Sequence, residues 1–351
     1  MNEPNEKFLL ETDAYPETKM GDVVDTYFDI KVSDPYRWLE DDLSDETAKW
    51  VGEQNKVTLN YLDKVPYRSR LKNRLENMWN YEKTTAPTKE GAYTYFYKND
   101  GLQNQYLVYR QKGEEIELFL DPNTFSVDGT TSLSLLTFSK DGTIAAYSIS
   151  EGGSDWRKII IIDVETKEAL EVPLVDVKFP GMSWLANKGF YYSRYDKPDG
   201  SELSAKTDQH KLYFHQIGQK QIDVTLVFGG DKKRRYVSGE VTEDDKYLLI
   251  SGKNATSGND LYIQDLSKPD SPLLTILDNM DTDTSLVGHL SDTLYLETNL
   301  NAPNNRLVSV NLTQPQPENW LDIIPETANV LNVTSGGGFF FADYMIDATS
   351  S

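Results

Sequence analysis

FSKDGTIAAYSIS, Phe138–Ser150, sets an apolar residue, a polar turn containing Asp-Gly and an apolar return strand in immediate succession. Asp-Gly between apolar runs marks a tight hairpin, because its turn positions favour positive φ. VTEDDKYLLISG, Val241–Gly252, repeats the order. Weaker copies are TKEGAYTYFYKN from Thr88, SWLANKGFYYSRY from Ser183, HLSDTLYLETN from His289 and VTSGGGFFFADYM from Val333. A further strand ending in a turn follows the copies: QYLVYRQ from Gln105, KIIIIDVETKE from Lys158, HKLYFHQIG from His210, DLYIQDLSKP from Asp260 and NRLVSVNLTQP from Asn305. The turn positions advance by about 45 to 57 residues each time. That is the length of one four-stranded propeller blade. The expected fold is mainly β: about five blades and the start of a sixth. A β-sandwich also has short punctuated strands, but its turns fall every 8–12 residues or so without this longer period. The Gly-His and Trp-Asp dipeptides of WD-type blades are absent.

Composition agrees. The 351 residues include 21 Tyr and 13 Phe, and Val, Ile and Leu recur in short runs, which favours strands. A formal charge of -21 repels polyphosphate and anionic lipid, so neither nucleic acid nor a membrane is an expected partner. No run approaches the roughly 18 apolar residues of a spanning helix. The N-terminus, MNEPNEKFLLETDA, carries acids where a secretory leader carries bases, and its apolar run is only FLL. A cytoplasmic location is expected, or a periplasmic one if a leader has been removed. Cysteine is absent, which excludes disulfides, thiolate metal sites and a cysteine nucleophile. Asn-X-Ser/Thr triplets at Asn254, Asn311 and Asn332 read as chance matches in a chain rich in Asn and Thr.

A helical period precedes the strands, from about residue 44 to 80. Asp45 and Glu46 suit a helix N-terminus, and Trp50, Val57 and Tyr61 recur along one face. Pro66 interrupts, and Leu71, Leu75, Met78 and Trp79 form a second stripe. Two amphipathic helices are expected, and both stripes need something to pack on.

Reaction chemistry is hard to find. Of the three histidines, His210 and His215 lie five apart in one expected strand and point to opposite faces, so they cannot share an ion. No metal site is expected. A hydrolase serine needs a strand–turn–helix elbow of the G-x-S-x-G kind, and the nearest imitation, EGGSDW at Ser154, leads into a strand. Gly336–Gly338 lacks the lysine and helix of a phosphate loop, and Asp41–Asp42 and Asp244–Asp245 read as solvated acidic turns.

YPETKMGDVVDTYFDIKVSDPYRWLED, Tyr15–Asp41, ends in the box Asp34, Pro35, Tyr36, Arg37, Trp38, Leu39, Glu40 and Asp41. It resembles the opening of the prolyl oligopeptidase family of serine peptidases. The likeness runs on co-linearly through GLQNQ (Gly101–Gln105), LDPN (Leu120–Asn123), FSKDG (Phe138–Gly142), GSDW (Gly153–Trp156), VKF with a later Met-x-Trp (Val177–Phe179, Met182, Trp184) and KLYFH (Lys211–His215). The resemblance implies a seven-bladed propeller covering an α/β-hydrolase peptidase domain. Residues 1–80 would be the helical segment that packs on the peptidase side, and residues 81–351 a partial propeller. In this family the catalytic Ser, Asp and His all follow the propeller. The chain therefore reads as a piece of something longer, with no catalytic residue of its own and no peptidase activity alone.

Further expectations come with the resemblance. The parent enzyme cleaves short peptides after proline, the propeller excludes large folded substrates, and no cofactor is needed. Phe179, from the VKF segment, would lie near the apolar residues of the substrate, or would be an ordinary blade-core aromatic. Tyr236, in RRYVSGE, would be another apolar lining residue. The amides of GLQNQ would bind neighbouring backbone or the facing domain, unless they are simply solvated. Expected partners are short proline-containing peptides and the peptidase domain. An open ring with bare strand edges would also self-associate. The alternative from another class is a stand-alone propeller that binds a peptide or protein in its funnel.

Overall fold

A computed structural model describes residues 13–197, 207–268 and 270–350. Among these, a two-stranded ribbon is followed along the chain by six larger antiparallel sheets. Four are simple four-stranded meanders: Thr131–Phe138 to Leu174–Lys178, Met182–Leu185 to Thr225–Phe228, Tyr236–Val241 to Leu274–Leu277, and Thr284–Leu290 to Leu321–Ile324. They form blades two to five. In blade one the first strand is split into Lys83–Thr84 and Thr88–Glu90, both paired with Tyr93–Asn99. Blade six has three strands, Val330–Gly336, Phe339–Ile346 and Thr349–Ser350. First strands meet across blades: Thr131–Phe138 meets Met182–Leu185, Met182–Leu185 meets Tyr236–Val241, and Thr284–Leu290 meets Val330–Gly336. That arrangement places the first strands around a central axis and the last ones outside.

The core consists of layers between blades. Ile159 and Ile161 pack with Trp184, Phe190 and Tyr192 of blade three, while Ile162 on the opposite face packs with Tyr93, Tyr95 and Phe119 of blade one. This explains why the second and third strands of a blade read as continuous apolar runs: both faces are covered. Equivalent layers join blades three and four around Leu212 and Ile250, four and five around Leu261 and Leu294, and five and six around Leu307 and Leu331. On the far side of blade six, Phe339, Phe341 and Met345 are exposed.

Ahead of the blades, helix α1 (Asp45–Asp63) is capped by Ser44, whose Oγ accepts the Thr47 N–H at 3.2 Å, and helix α2 (Arg68–Trp79) follows Pro66. The Trp38 indole donates to Lys19 O at 3.0 Å, and Arg37 joins Asp34 to Asp25. Through Arg37 the short 3-10 turn Arg37–Glu40 is tied to the ribbon Val24–Tyr27/Ile30–Ser33, and through Trp38 to the segment before it. Leu71, Leu75, Met78 and Trp79 remain largely exposed.

Candidate functional site

The mouths of the ring differ. At one, the hairpins between first and second strands meet tip to tip: Asp141 with Asn187, Asp245 with the Ala186 N–H, and Lys246 with Asp292. At the other, the first strands begin and the loops between second and third strands return. Here a polar side chain near the end of the loop reaches the start of the next blade's first strand. Gln105 donates to Thr131 O at 2.7 Å and accepts from Leu133 N at 3.1 Å. Asn259 donates to Thr284 O at 3.0 Å and accepts from Thr284 N at 2.8 Å. Asn305 donates to Leu331 O at 2.9 Å. His210 occupies the same place in blade three, and its Nδ1 accepts the Val237 N–H at 2.9 Å.

The GLQNQ amides thus bind backbone. Besides Gln105, Asn104 donates to Gly129 O at 2.9 Å and the Gln103 carbonyl oxygen accepts from Asp100 N at 3.0 Å. The Lys83 ammonium joins Trp79 O, at the end of α2, to Gly101 O in the same loop, at 2.8 and 3.1 Å. The helical segment therefore enters the propeller at this mouth.

Phe179 and Tyr236 are also here, and they are neighbours, with ring centroids 5.8 Å apart. Phe179 is 42% exposed and belongs to none of the core layers. Its φ of 51° is the left-handed conformation that bulky residues avoid. The Lys178 ammonium lies 5.4 Å from the Phe179 ring and 5.5 Å from Trp156, and the Arg235 guanidinium 5.8 Å from Tyr236. Beneath the pair, His210 Nε2 donates to Lys178 O at 3.0 Å, so one buried imidazole holds the residue before Phe179 and the residue after Tyr236. Donating at Nε2 and accepting at Nδ1 requires the neutral ring. Burial lowers the affinity of this imidazole for a proton, to a pKa of about 4. Tyr195 stacks on it at 4.3 Å.

Inward from Tyr236 the strand period carries Ser238 and Glu240 on the same side. Both line a cleft of about 410 Å³ between blades four and five, together with Lys253, Asp283 and Glu297. Desolvation raises the carboxyl pKa values of Glu240 and Glu297.

The other histidines sit in carboxylate contacts, His215 with Glu171 and His289 with Asp244. Among the described residues no cluster of His, Asp and Glu is arranged to hold a metal. Ser154 lies in a hairpin, its Oγ accepting from the Trp156 N–H at 3.1 Å, and no helix follows. Sequence reasoning missed the tether at His210. The available signal was its position in the repeat, equivalent to Gln105, Asn259 and Asn305.

Residues 15–351 match the family model described as prolyl oligopeptidase, N-terminal β-propeller domain. The chain is 55% identical over 339 residues to a prolyl endopeptidase of Elizabethkingia miricola, covering 96% of this chain and 48% of that protein. It is 53% identical to one of Elizabethkingia meningoseptica, with 95% and 48% covered. It spans about half the length of these curated relatives. Among solved structures, one from a study of two prolyl endopeptidases superposes with a TM-score of 0.86 at 25% identity, over 96% of this chain and 50% of that one. Prolyl oligopeptidase B of Galerina marginata, bound to a 25mer macrocyclization substrate, superposes with a TM-score of 0.81 at 27% identity, over 94% and 51%. With its radial sheets, its helical lead-in and this match over nearly its whole length, the chain belongs to the prolyl oligopeptidase family and corresponds to its N-terminal β-propeller domain.

Proposed function

We propose that this chain is the helical segment (1–80) and propeller (81–351) of a cytoplasmic prolyl endopeptidase, and that it controls the access of short proline-containing peptides to a hydrolase domain seated on the mouth that carries Phe179 and Tyr236. One observation carries the reading: α2 enters the ring at that same mouth, through Lys83 and Gly101, with its apolar stripe uncovered. A domain covering Leu75, Met78 and Trp79 would also roof the aromatic pair. Phe179 and Tyr236 then form the propeller's share of an apolar subsite, and the triad lies on the other domain.

The test is to express the reading frame with whatever follows codon 351 and to assay it beside this chain on a chromogenic Gly-Pro substrate. The longer product is expected to cleave it and this chain to be silent. Cleavage by this chain, or a frame without a serine elbow, sinks the proposal and favours a stand-alone binding propeller.

A further inference from the structure

The junction tethers are amides at Gln105, Asn259 and Asn305, which keep one donor and one acceptor at any pH. His210 alone among these four is titratable. It is also the one that spans two junctions, reaching back to Lys178 of blade two and forward to Val237 of blade four. Asp155, at the corresponding place in blade two, makes no such tether and stands 4.0 Å from the Lys178 ammonium. The aromatic pair sits on the two segments that this imidazole joins.

We propose that His210 is the positioning residue of the Phe179–Tyr236 pair: its neutral ring fixes the segment entering blade three against the first strand of blade four, and protonation releases them. An imidazolium has two N–H donors and no acceptor, so the Val237 N–H would face another N–H. Burial of the ring places that event near pH 4 in the folded chain. The charged and titratable groups on the packed elements have other partners: Lys178 lies at Trp156 and Phe179, Arg234 pairs with Asp260, Lys211 with Asp196, and Arg235 lies over Tyr236. Tyr195 covers one ring face and donates to Arg235 O, and Asp208 precedes in the chain. That the pair lines a substrate rests on the proposed function; the tether does not.

Hydrogen exchange on this chain, corrected for the intrinsic rate, tests the tether. Between pH 6.5 and pH 4 the amides at 236–238 should lose about tenfold or more in protection, while those at 131–133 and 284, held by Gln105 and Asn259, keep theirs. His210→Gln, which reproduces the donor and acceptor of Gln105, should keep 236–238 protected at both pH values, and His210→Ala at neither. Equal protection in the wild-type chain at both pH values, or simultaneous loss at all three segments, overturns the proposal without any variant having to fold. So does a His210→Gln chain that retains the acid loss. Separately, Phe179→Ala in the longer reading frame should raise KM for the Gly-Pro substrate. An unchanged KM removes the substrate reading and leaves the tether standing.

Discussion

Gln105 holds Thr131 and Leu133 of the next blade with both ends of one amide, at 2.7 and 3.1 Å, and spends a third bond on Pro122 O at 3.2 Å. Alanine there strands a carbonyl and an N–H at a partly buried seam, which costs about 1–3 kcal/mol. Gln103, whose side chain serves only Asp100 N in its own turn, should change stability by less than about 0.5 kcal/mol. Urea midpoints of Gln105→Ala and Gln103→Ala check the contrast. Equal shifts would refute it.

The ring was legible because a blade imposes two periods at once: the alternation within strands and the spacing of turns such as Asp141-Gly142 and Asp244-Asp245. The helices were legible from Pro66 and the stripe at Leu71 and Leu75. Tethers across blades were harder to read: a polar residue recurs ahead of each third strand, but its type changes from Gln105 to His210, Asn259 and Asn305, and nothing in it names a partner some 25 residues away, as Asn259 and Thr284 show. Pairing of Phe179 with Tyr236 was hidden for the same reason. Each is the first aromatic of a separate blade entry, and they meet where the first strands of blades three and four come together, a junction that His210 and the Tyr195 hydroxyl on Arg235 O both hold.

Gly142 crosses Gly91 at the hairpin tips of blades one and two. A Cβ on Gly142 would lie 2.7 Å from Gly91 Cα, and the φ of +72° already disfavours a side chain. Gly152, at φ +59°, has open space around it. Gly152→Ala should therefore lose about 1–2 kcal/mol for the left-handed backbone alone. Gly142→Ala should lose clearly more, read from the same denaturant titration.

Arg110 is 3% exposed, lies 4.2 Å from the Tyr93 ring, donates to Glu117 at 2.7 Å and also bonds Val164 O of blade two. Arg110→Met should cost about 1.5–3 kcal/mol, the usual loss for a charged hydrogen bond. Arg110→Lys should rescue little, since a single ammonium cannot stack on Tyr93 and reach both acceptors. Full rescue by lysine would show that charge alone matters there.

Glu240 faces the cleft between blades four and five, with its carboxyl pKa raised by desolvation. A raised carboxyl binds its proton more tightly folded than unfolded, so its contribution to stability is present in acid and lost as pH rises through the folded pKa. Glu240→Gln should raise the Tm at pH 7. At a pH below the ordinary carboxylate range the gain should vanish, because both side chains are then neutral. A Tm gain independent of pH would point to packing instead.

Blade six divides its apolar residues by strand alternation. Leu331, Val333 and Tyr344 turn toward blade five, and Phe340 packs on Tyr295 with centroids 4.9 Å apart. The other side presents Val330, Phe339, Phe341 and Met345 at 47%, 71%, 58% and 51% exposure. Such a face beside a strand with unpaired backbone invites another sheet, and in this chain alone the available sheet is a second copy. The chain should therefore elute from size exclusion with a concentration-dependent mass above that of a monomer. Phe339→Ser with Phe341→Ser should restore the monomer mass at unchanged Tm, because neither ring belongs to a core layer. A monomer at every concentration in the unaltered chain would show that this face does not drive association.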